Sequence, residues 1–528
     1  MQPPTKKQMA DWGRAYKELE EKEQGLRKAH KVFGSWRAPR DAAAEEAERR
    51  AAEEAERRRL FKAAEARIAA LKGESVKLLE GAITDGDATR VRNIIEQLSS
   101  QLKQRPSDVL LLEGGKHLIY MAAEKGHADC VKALLVGGAN PDVAHQSTGF
   151  TALHIAAWNG RAECVGVLLE GGANIEARAI LGTVPIFPEG GQGGTALIFA
   201  AQFGNVDCVE ALLKGGANPE ATSKHGFTAL YMAAQGGYAN CIQALLVGGA
   251  KPDVARQSTG FTALHIAAKM GHEGCVEALL KGEANPEATD REGFTALMRA
   301  AWVGKADCVG ALLEGGAKPD VARQSTGFTA LHIAAEMGHE GCVEALLKGE
   351  ANPEATDREG FTALMRAAWV GKADCVGALL EGGADSEAVT PEQGFTALIL
   401  AAQQGHAGCI EALLQNGADP EARANQGLTA LILAAQQGHA DCIEVLLRVV
   451  ETGRRWAKSE ATDGEGFTAL MIATRKGHVN CIEALLRNGA EPDTVQGEGF
   501  TALMIAAQQG RVDCIVSLLR NRANPEAV

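Results

Sequence analysis

The chain has 528 residues, a formal net charge of -13, 46% hydrophobic but only 5% aromatic residues, and 61 glycines. A chain of this length would ordinarily divide into about three or four domains, because a single hydrophobic core stops growing near 250 to 300 residues. The charge is unevenly distributed: residues 1–72 carry 18 Lys and Arg against 13 Asp and Glu, whereas residues 73–528 carry 36 against 54. Contact with nucleic acid or an anionic membrane is therefore expected only through residues 1–72, if anywhere.

The beginning of the chain carries no sign of export. The first residues, MQPPTKKQMADWGRAYK, lack the apolar core of a signal peptide. No stretch of the chain approaches the roughly 18 apolar residues of a membrane span. Twelve cysteines agree with a reducing compartment. We expect an intracellular protein, in the cytoplasm, with the nucleus as the alternative.

Residues 1–72 form a charged, partly helical N-terminal arm in which the phrase AAEEAERR occurs twice, from Ala43 to Arg58. Its Glu–Arg pairs four residues apart predict a single helix over about residues 41–72. A period of eight with mostly alanine apolar positions favours a solvated single helix, and hence a monomer, over the alternative of a coiled-coil dimer. Residues 73–114 resemble a degenerate helix-turn-helix unit with Gly81 and Gly86 at its bend, which we interpret as a cap on the region that begins at residue 115.

From residue 115 to residue 528 the chain repeats itself. Twelve G-x-T-A-L-like segments, spaced 33 or 34 residues apart except twice, begin at Gly115, Gly149, Gly193, Gly226, Gly260, Gly293, Gly327, Gly360, Gly394, Gly427, Gly466 and Gly499. In the repeat that begins at Gly260, Thr262 can cap a short first helix and Gly271 can end it. A second helix and a turn-rich hairpin follow. Such a repeat is not stable alone, so the pattern predicts an all-α solenoid of stacked repeats.

These repeats resemble the ankyrin repeat family over about four fifths of the chain. The family's T-P-L-H-x-A segment stands here as T-A-L-H-I-A-A at Thr151, Thr262 and Thr329, with alanine in place of proline. Histidine follows the leucine only at His154, His265 and His332. The resemblance implies a Thr–His contact in those three repeats, a protein-interaction function and no catalytic role.

Two insertions interrupt the regular spacing, and one block of the chain is duplicated. The insertions lie near residues 177–193 and 448–459, where edge loops are expected to serve either as contact points or as neutral additions. Residues 251–317 recur as residues 318–384 with one change, Lys269 becoming Glu336. A fixed catalytic geometry would not tolerate such lengthening, whereas a binding surface would.

The cysteines and most of the histidines follow the repeat instead of converging on a site. The cysteines, all fifteen residues after the glycine that begins a repeat, are Cys130, Cys164, Cys208, Cys241, Cys275, Cys308, Cys342, Cys375, Cys409, Cys442, Cys481 and Cys514. Adjacent layers are about 10 Å apart, too far for a disulfide or a shared zinc ion, so we expect core thiols and no metal site. We find no nucleotide-binding or hydrolase motif and expect neither a cofactor, a small-molecule substrate nor catalytic residues.

Candidate partner-binding residues lie at positions that the family leaves variable on its concave side. One set is the pair before the glycine that ends the first helix, and the other lies between glycine and threonine at the start of each repeat. The residues singled out are Trp158, Phe203, Met270, Trp302, Met337, Trp369, Phe261, Phe294, Phe328 and Phe361. Aromatic and methionine side chains are typical of binding hot spots, although both sets are also explained by packing along the stack.

The sequence therefore predicts a non-catalytic scaffold or adaptor that binds a protein partner on the concave face of the repeats. In the alternative, the repeats bind protein while the basic arm, residues 1–72, contacts a membrane or nucleic acid. The motifs favour neither an enzyme nor a small-molecule receptor.

Overall fold

The computed structural model of the protein describes residues 40–102, 118–145, 148–179, 192–448 and 456–526. The arm up to residue 39 lies outside these ranges, as do residues 180–191 and 449–455, which hold most of the two predicted insertions. Within the described ranges the regular structure is helical, apart from one antiparallel bridge between Thr462 and Thr468. The predicted all-α fold class is confirmed.

The described residues hold two leading helices and twelve helix pairs. The leading helices are α1 (Arg40–Thr84) and α2 (Ala88–Leu102). The first helices of the pairs are α3 (Leu118–Lys125), α5 (Ala152–Trp158), α7 (Ala196–Gln202), α9 (Ala229–Gly236), α11 (Ala263–Met270), α13 (Ala296–Val303), α15 (Ala330–Met337), α17 (Ala363–Val370), α19 (Ala397–Gln404), α21 (Ala430–Gln437), α23 (Ala469–Lys476) and α25 (Ala502–Gln508). The second helices are α4 (Ala128–Val136), α6 (Ala162–Glu170), α8 (Val206–Lys214), α10 (Ala239–Val247), α12 (Glu273–Lys281), α14 (Ala306–Glu314), α16 (Glu340–Lys348), α18 (Ala373–Glu381), α20 (Ala407–Gln415), α22 (Ala440–Leu446), α24 (Val479–Arg487) and α26 (Val512–Arg520). A short 3₁₀ turn spans Asn425–Gly427.

The helix pairs group into two compact units. One comprises the described residues up to Met232 together with Val247–Ala250, and the other comprises Ala233–Leu246 together with the residues from Lys251 onward. Inside the first unit, α3, α5 and α7 pack in order, as do α4, α6 and α8. Inside the second unit the first helices from α11 to α25 pack in order, and so do the second helices from α12 to α26. Each unit is thus a stack in which a helix pair contacts its sequence neighbours.

Helix α1 is longer than the sequence predicts. It continues through the boundary expected at residues 72 and 73 and also through Gly81, so the bend predicted there is wrong. The chain turns at Gly86, whose φ of 72° lies in the left-handed region that glycine adopts readily. A glycine inside a helix costs about 1 kcal/mol, and burial of the adjacent Ala82 and Ile83 offsets that cost.

The two ends of α1 have different surroundings. Its C-terminal end packs against α2 and α3, while α2 packs against α4, with Leu79, Ile83 and Val91 buried between them. Side chains from Arg49 to Arg59 are exposed instead. In that segment Arg58 donates to Glu54 over 2.9 Å, one of the predicted pairs four residues apart. Such exposed pairs stabilise a helix by only about 0.3 to 0.5 kcal/mol each.

Helix α11 shows how the residues that define the repeat fix a first helix at both ends. In α11 the backbone N–H of His265 donates to the Thr262 hydroxyl, which satisfies one of the donors left open at a helix start. The helix ends at Gly271, whose φ is 84°. Between these ends, Ala267 and Ala268 are fully buried, because only small side chains let neighbouring first helices approach closely.

The twelve cysteines lie in the core between the stacked layers. All are free and buried, with exposed fractions of 0 to 2%. Burial raises the pKa of Cys275 and Cys342 to about 12, so these thiols carry their protons at physiological pH. Each cysteine acts as a small apolar side chain of the second helix, as expected for core thiols.

Carboxylates join successive hairpins within each unit. In the second unit, Asp253 Oδ1 accepts the Asn285 N–H at 2.9 Å, and Glu287 Oε1 accepts the Lys318 N–H at 2.8 Å. The series continues with Asp320 accepting from Asn352. Each bond connects residues 31 or 32 positions apart and therefore links one layer to the next.

Three buried histidines link layers in a second way. Nδ1 lies 2.8 to 2.9 Å from the hydroxyl of the threonine three residues earlier in His154, His265 and His332. In each ring Nδ1 also accepts that threonine's backbone N–H, so the proton sits on Nε2. Nε2 then donates to a carbonyl oxygen of the next repeat, at 3.3, 3.0 and 2.9 Å respectively. The predicted Thr–His contact is present in all three repeats.

Burial lowers the pKa of His154 to about 4 and also lowers the pKa values of His265 and His332. The unfolded chain takes up these protons near pH 6.5, whereas the folded chain does not. The free energy of unfolding is therefore fully maintained above pH 6.5 and falls as the pH drops from 6.5 toward 4. His154 alone should account for a loss of about 2 kcal/mol between pH 7 and pH 5.

Urea unfolding of the full chain at pH 7 and pH 5 checks this expectation. The matched variant is H154M/H265M/H332M, because methionine occupies the same position in repeats such as that of Met298. The carboxylates titrate equally in both proteins, so the variant should lose distinctly less stability at pH 5. Equal losses in the two proteins would show that the histidines do not govern the acid sensitivity.

Candidate protein-binding surface

Four consecutive first helices of the second unit end in exposed apolar side chains. These are Met270 (44% exposed), Trp302 (45%), Val303 (37%), Met337 (37%), Trp369 (37%) and Val370 (39%). All occupy the last two positions of their helices, directly before the turn glycine. Because α11, α13, α15 and α17 pack in sequence, these ends lie side by side. We call the set the apolar strip.

The strip has two rows, one for each of the two final helix positions. The last position holds Met270, Val303, Met337 and Val370, so this row is apolar throughout. The position before it holds Lys269, Trp302, Glu336 and Trp369, so tryptophan alternates with charge. In the two following helices both rows are taken by glutamine, at Gln403, Gln404, Gln436 and Gln437. The strip therefore covers the helix pairs from residue 263 to residue 381.

Each tryptophan contacts a phenylalanine ring and a histidine that restrict its position. Trp302 meets the Phe294 ring edge to face, with centroids 5.5 Å apart and planes at 79°. Its backbone carbonyl accepts the Nε2–H of His339 at 3.1 Å. Trp369 has equivalent contacts to Phe361, at 6.2 Å and 89°, and to His406, at 3.1 Å. The rings are thus oriented before any ligand arrives, which reduces the entropy lost on binding.

An arginine–carboxylate network lies next to the phenylalanine that contacts each tryptophan. Arg299 Nη2 is 2.6 Å from Oδ2 of Asp290, whose side chain is fully buried, and 2.7 Å from Oε2 of Glu292. Asp290 also accepts the backbone N–H groups of Glu292 and Phe294, at 2.8 and 3.0 Å. Asp290 and Glu292 are thus the two carboxylates that pair with Arg299. Arg366, Asp357 and Glu359 repeat the arrangement at 2.6 and 2.8 Å.

The four predicted phenylalanines are less exposed than the residues of the apolar strip. Phe261 and Phe294 are buried, with 8% and 3% exposed, and Phe328 and Phe361 are half-buried. The Arg299 guanidinium covers Phe261 at 5.0 Å and Phe294 at 4.1 Å from the ring centroids. These cation–π contacts belong to the packing along the stack that the sequence also allows for this set. Phe261 and Phe294 are packed inside the unit, and a binding role for the four phenylalanines stays a prediction.

The remaining predicted residues lie in the first unit. Trp158 is half-buried, and its ring stacks on Phe203 with centroids 4.5 Å apart and planes at 22°. Phe199 lies on the same ring at 5.9 Å, and Phe150 meets it at 5.5 Å. Phe203, at 37% exposed, gives this aromatic cluster its outer edge. The cluster offers less accessible apolar surface than the strip.

Sequence reasoning missed two parts of the strip. Val303 and Val370 complete the apolar row, yet a valine before a glycine is unremarkable in isolation. Lys269 and Glu336 stand out in the sequence only as the one difference between the duplicated blocks. Comparing all twelve repeats column by column at both helix-end positions would have revealed the two rows.

Other kinds of site are not apparent in the described part of the chain. Its His, Cys, Asp and Glu side chains form no group of three arranged to hold a metal ion. None of the described helices combines the length and the hydropathy that a membrane span requires.

Comparison with known proteins identifies a family model and a solved structure that the chain matches. A family model described as ankyrin repeats, in three copies, matches residues 68–179, 186–256, 240–323, 316–390, 383–455 and 450–528. Among solved structures the chain is similar to the ankyrin repeat domain of Bcl-3, described as a unique member of the IkappaB protein family. That match has 29% sequence identity and a TM-score of 0.38, and it covers 42% of this chain and 99% of the other. The comparison with curated proteins gives no match.

Replacing Phe294 and Trp302 separately distinguishes packing from surface positions. F294A should lower the free energy of unfolding by about 3 to 5 kcal/mol, because it empties a buried ring site. W302Q should lower it by distinctly less, about 1 kcal/mol, since the residue is 45% exposed and glutamine stands at this position in later repeats. Urea unfolding of the two variants and the parent at one pH measures both. A loss in W302Q as large as that in F294A would contradict the assignment.

Proposed function

Since the chain belongs to the ankyrin repeat family, whose repeats generally serve as protein-interaction modules, we propose that it is a non-catalytic scaffold that binds a protein partner. We place the binding site on the face formed by the ends of the first helices, which corresponds to the predicted concave side of the repeats. The residues proposed to carry it are Met270, Trp302, Met337 and Trp369, joined by Val303 and Val370.

The observation that carries the proposal is the apolar strip. Large apolar side chains scattered singly over a surface need no explanation, but a contiguous row rimmed by charges marks an interaction site. Tryptophan and methionine are the side chains best suited to it, because they present large contact areas. The supporting Phe–His–Arg contacts hold the tryptophans ready for a partner.

The chemically distinctive groups support binding over catalysis. A catalytic histidine or cysteine must reach a substrate, yet the histidines with lowered pKa and the cysteines with raised pKa are buried in the core. Both ring nitrogens of His265 are engaged by Thr262 and by the Phe294 carbonyl. These pKa shifts are therefore consequences of packing between layers.

The alternative function, an adaptor whose basic arm touches membrane or nucleic acid, depends mainly on residues 1–39, outside the described ranges. In the described part of the arm, Arg58 and Arg49 pair with Glu54 and Glu53 on the same helix. These internal pairs leave less positive charge for a phosphate-bearing partner, so the scaffold is the better supported function. A monomeric, intracellular protein remains our prediction, for which the buried free thiols suit a reducing compartment.

Capture from lysate with the full chain as bait tests the proposed site. The variant W302Q/W369Q introduces the residue found at the same positions in later repeats, so it should fold normally. The retained amount of at least one protein should be tenfold or more lower with the variant than with the parent. A tryptophan hot spot that becomes buried in an interface contributes about 2 kcal/mol or more to the free energy of binding. Quantitative mass spectrometry of the retained proteins measures the change.

The matched control is Q403A/Q436A, which alters the same helix position in the two following repeats. It should retain the same proteins as the parent. If W302Q/W369Q and Q403A/Q436A both retain every protein that the parent retains, the strip is not the binding site.

A further inference from the structure

The duplication places two copies of one binding surface on the second unit. The first subsite consists of Met270, Trp302 and Val303, and the second consists of Met337, Trp369 and Val370. Their supporting contacts are the same in kind, with an edge-to-face phenylalanine, a histidine bond to the tryptophan carbonyl and a buried Arg–Asp pair. A ligand that fits one subsite therefore finds the same shape again two repeats later.

The distance between the subsites suits an extended polypeptide. Packed helices are about 8 to 10 Å apart, so equivalent points two layers away are separated by about 16 to 20 Å. An extended chain advances about 3.3 Å per residue, so six residues cover about 20 Å, and this even number leaves both side chains on the same face of the segment. The apolar row is continuous between the subsites, because Val303 and Met337 end adjacent helices.

The subsites differ in charge at one position only. Lys269 lies beside Met270 at the first subsite, and Glu336 lies beside Met337 at the second. Lys269 is exposed and Glu336 is partly exposed. The arginines behind the tryptophans do not distinguish the subsites, since Arg299 and Arg366 are 12% and 15% exposed and are paired with carboxylates in the same way. The strip thus carries opposite charges at two equivalent positions, on its first and third helices.

Building on the proposed function, we propose that the apolar strip binds one extended segment of a partner protein with two large apolar side chains six residues apart. An acidic residue of the segment lies near Lys269, and a basic residue lies near Glu336. Two separate copies of one ligand would require the same charge at both subsites, which the chain does not offer. A single segment with an acidic and a basic residue at the matching spacing satisfies both, and linking its two anchors raises the effective concentration of the second.

Peptide display on the full chain tests this inference. A library of random 16-residue peptides is selected on the parent protein and counter-selected on W302Q/W369Q, so that retained peptides depend on the tryptophans. The tightest peptide is then synthesised together with a version in which every acidic residue is exchanged for lysine and every basic residue for glutamate. Isothermal titration gives the stoichiometry and affinity of both peptides.

The duplication provides matched variants for the titration. K269E gives the first block the sequence of the second, and E336K does the reverse, so each variant carries a surface that already occurs in this chain. We expect one peptide per chain and an affinity about three- to tenfold weaker in either single variant, in keeping with exposed charge pairs. The double variant K269E/E336K should bind the charge-exchanged peptide as tightly as the parent binds the original.

Two results of the titration would overturn the inference while leaving the proposed function intact. One is binding of two peptides per chain, and the other is an affinity unchanged within twofold in K269E and E336K although W302Q/W369Q abolishes it. Failure to select any tryptophan-dependent peptide would also overturn it, because the strip would then not recognise a linear segment. Failure of the proposed function itself is seen separately, in lysate proteins that W302Q/W369Q retains unchanged.

Discussion

Contact between one helix pair and the next is the constraint on which the structure of each unit depends. A single pair buries too little apolar surface to be stable, and its polar groups also need partners from the adjoining layer. Hairpin carboxylates such as Asp253 accept an N–H of the next repeat, and His265 donates to the carbonyl of Phe294. Turn histidines such as His339 donate backward, to the preceding repeat. Apolar burial and hydrogen bonding therefore act across the same boundary.

This arrangement determines where a binding surface can form. Side chains in the middle of a first helix are covered by neighbouring first helices, and those of the second helix pack into the core through positions such as Cys275. The last two residues of a first helix lie beyond that cover, directly before the turn. Their identity can vary with little effect on stability, so they can be selected for a ligand. Trp302 and Trp369 occupy this position, where the rings of Phe294 and Phe361 pack against them.

Much of the fold can be predicted from the sequence, because the same local pattern recurs in twelve stacked repeats. The Thr cap, the turn glycine and the core cysteine each recur at fixed spacing, and the structure places them accordingly. The contacts that a side chain makes in the folded structure were harder to predict than these recurring positions. The burial of Phe294 depends on Arg299 and Arg323, whose guanidinium groups lie 4.1 and 4.4 Å from its ring centroid. Nothing in the local pattern of Phe294 indicates that cover. Likewise, α1 continues through Gly81 because of tertiary burial, which local propensity does not contain.

The duplication shows how such a surface can lengthen without disturbing the core. Leu246 packs on Gly282 at the entrance to the first block, and Leu313 packs on Gly349 at the entrance to the second. The new junction thus reproduces the old one, and the histidine bonds across it use backbone carbonyls, which any residue supplies. When two interfaces are identical, a substitution in the core changes their stability, whereas a substitution outside the core need not. The single difference between the blocks, Lys269 against Glu336, lies at such a position, where a change can leave the packing between layers intact.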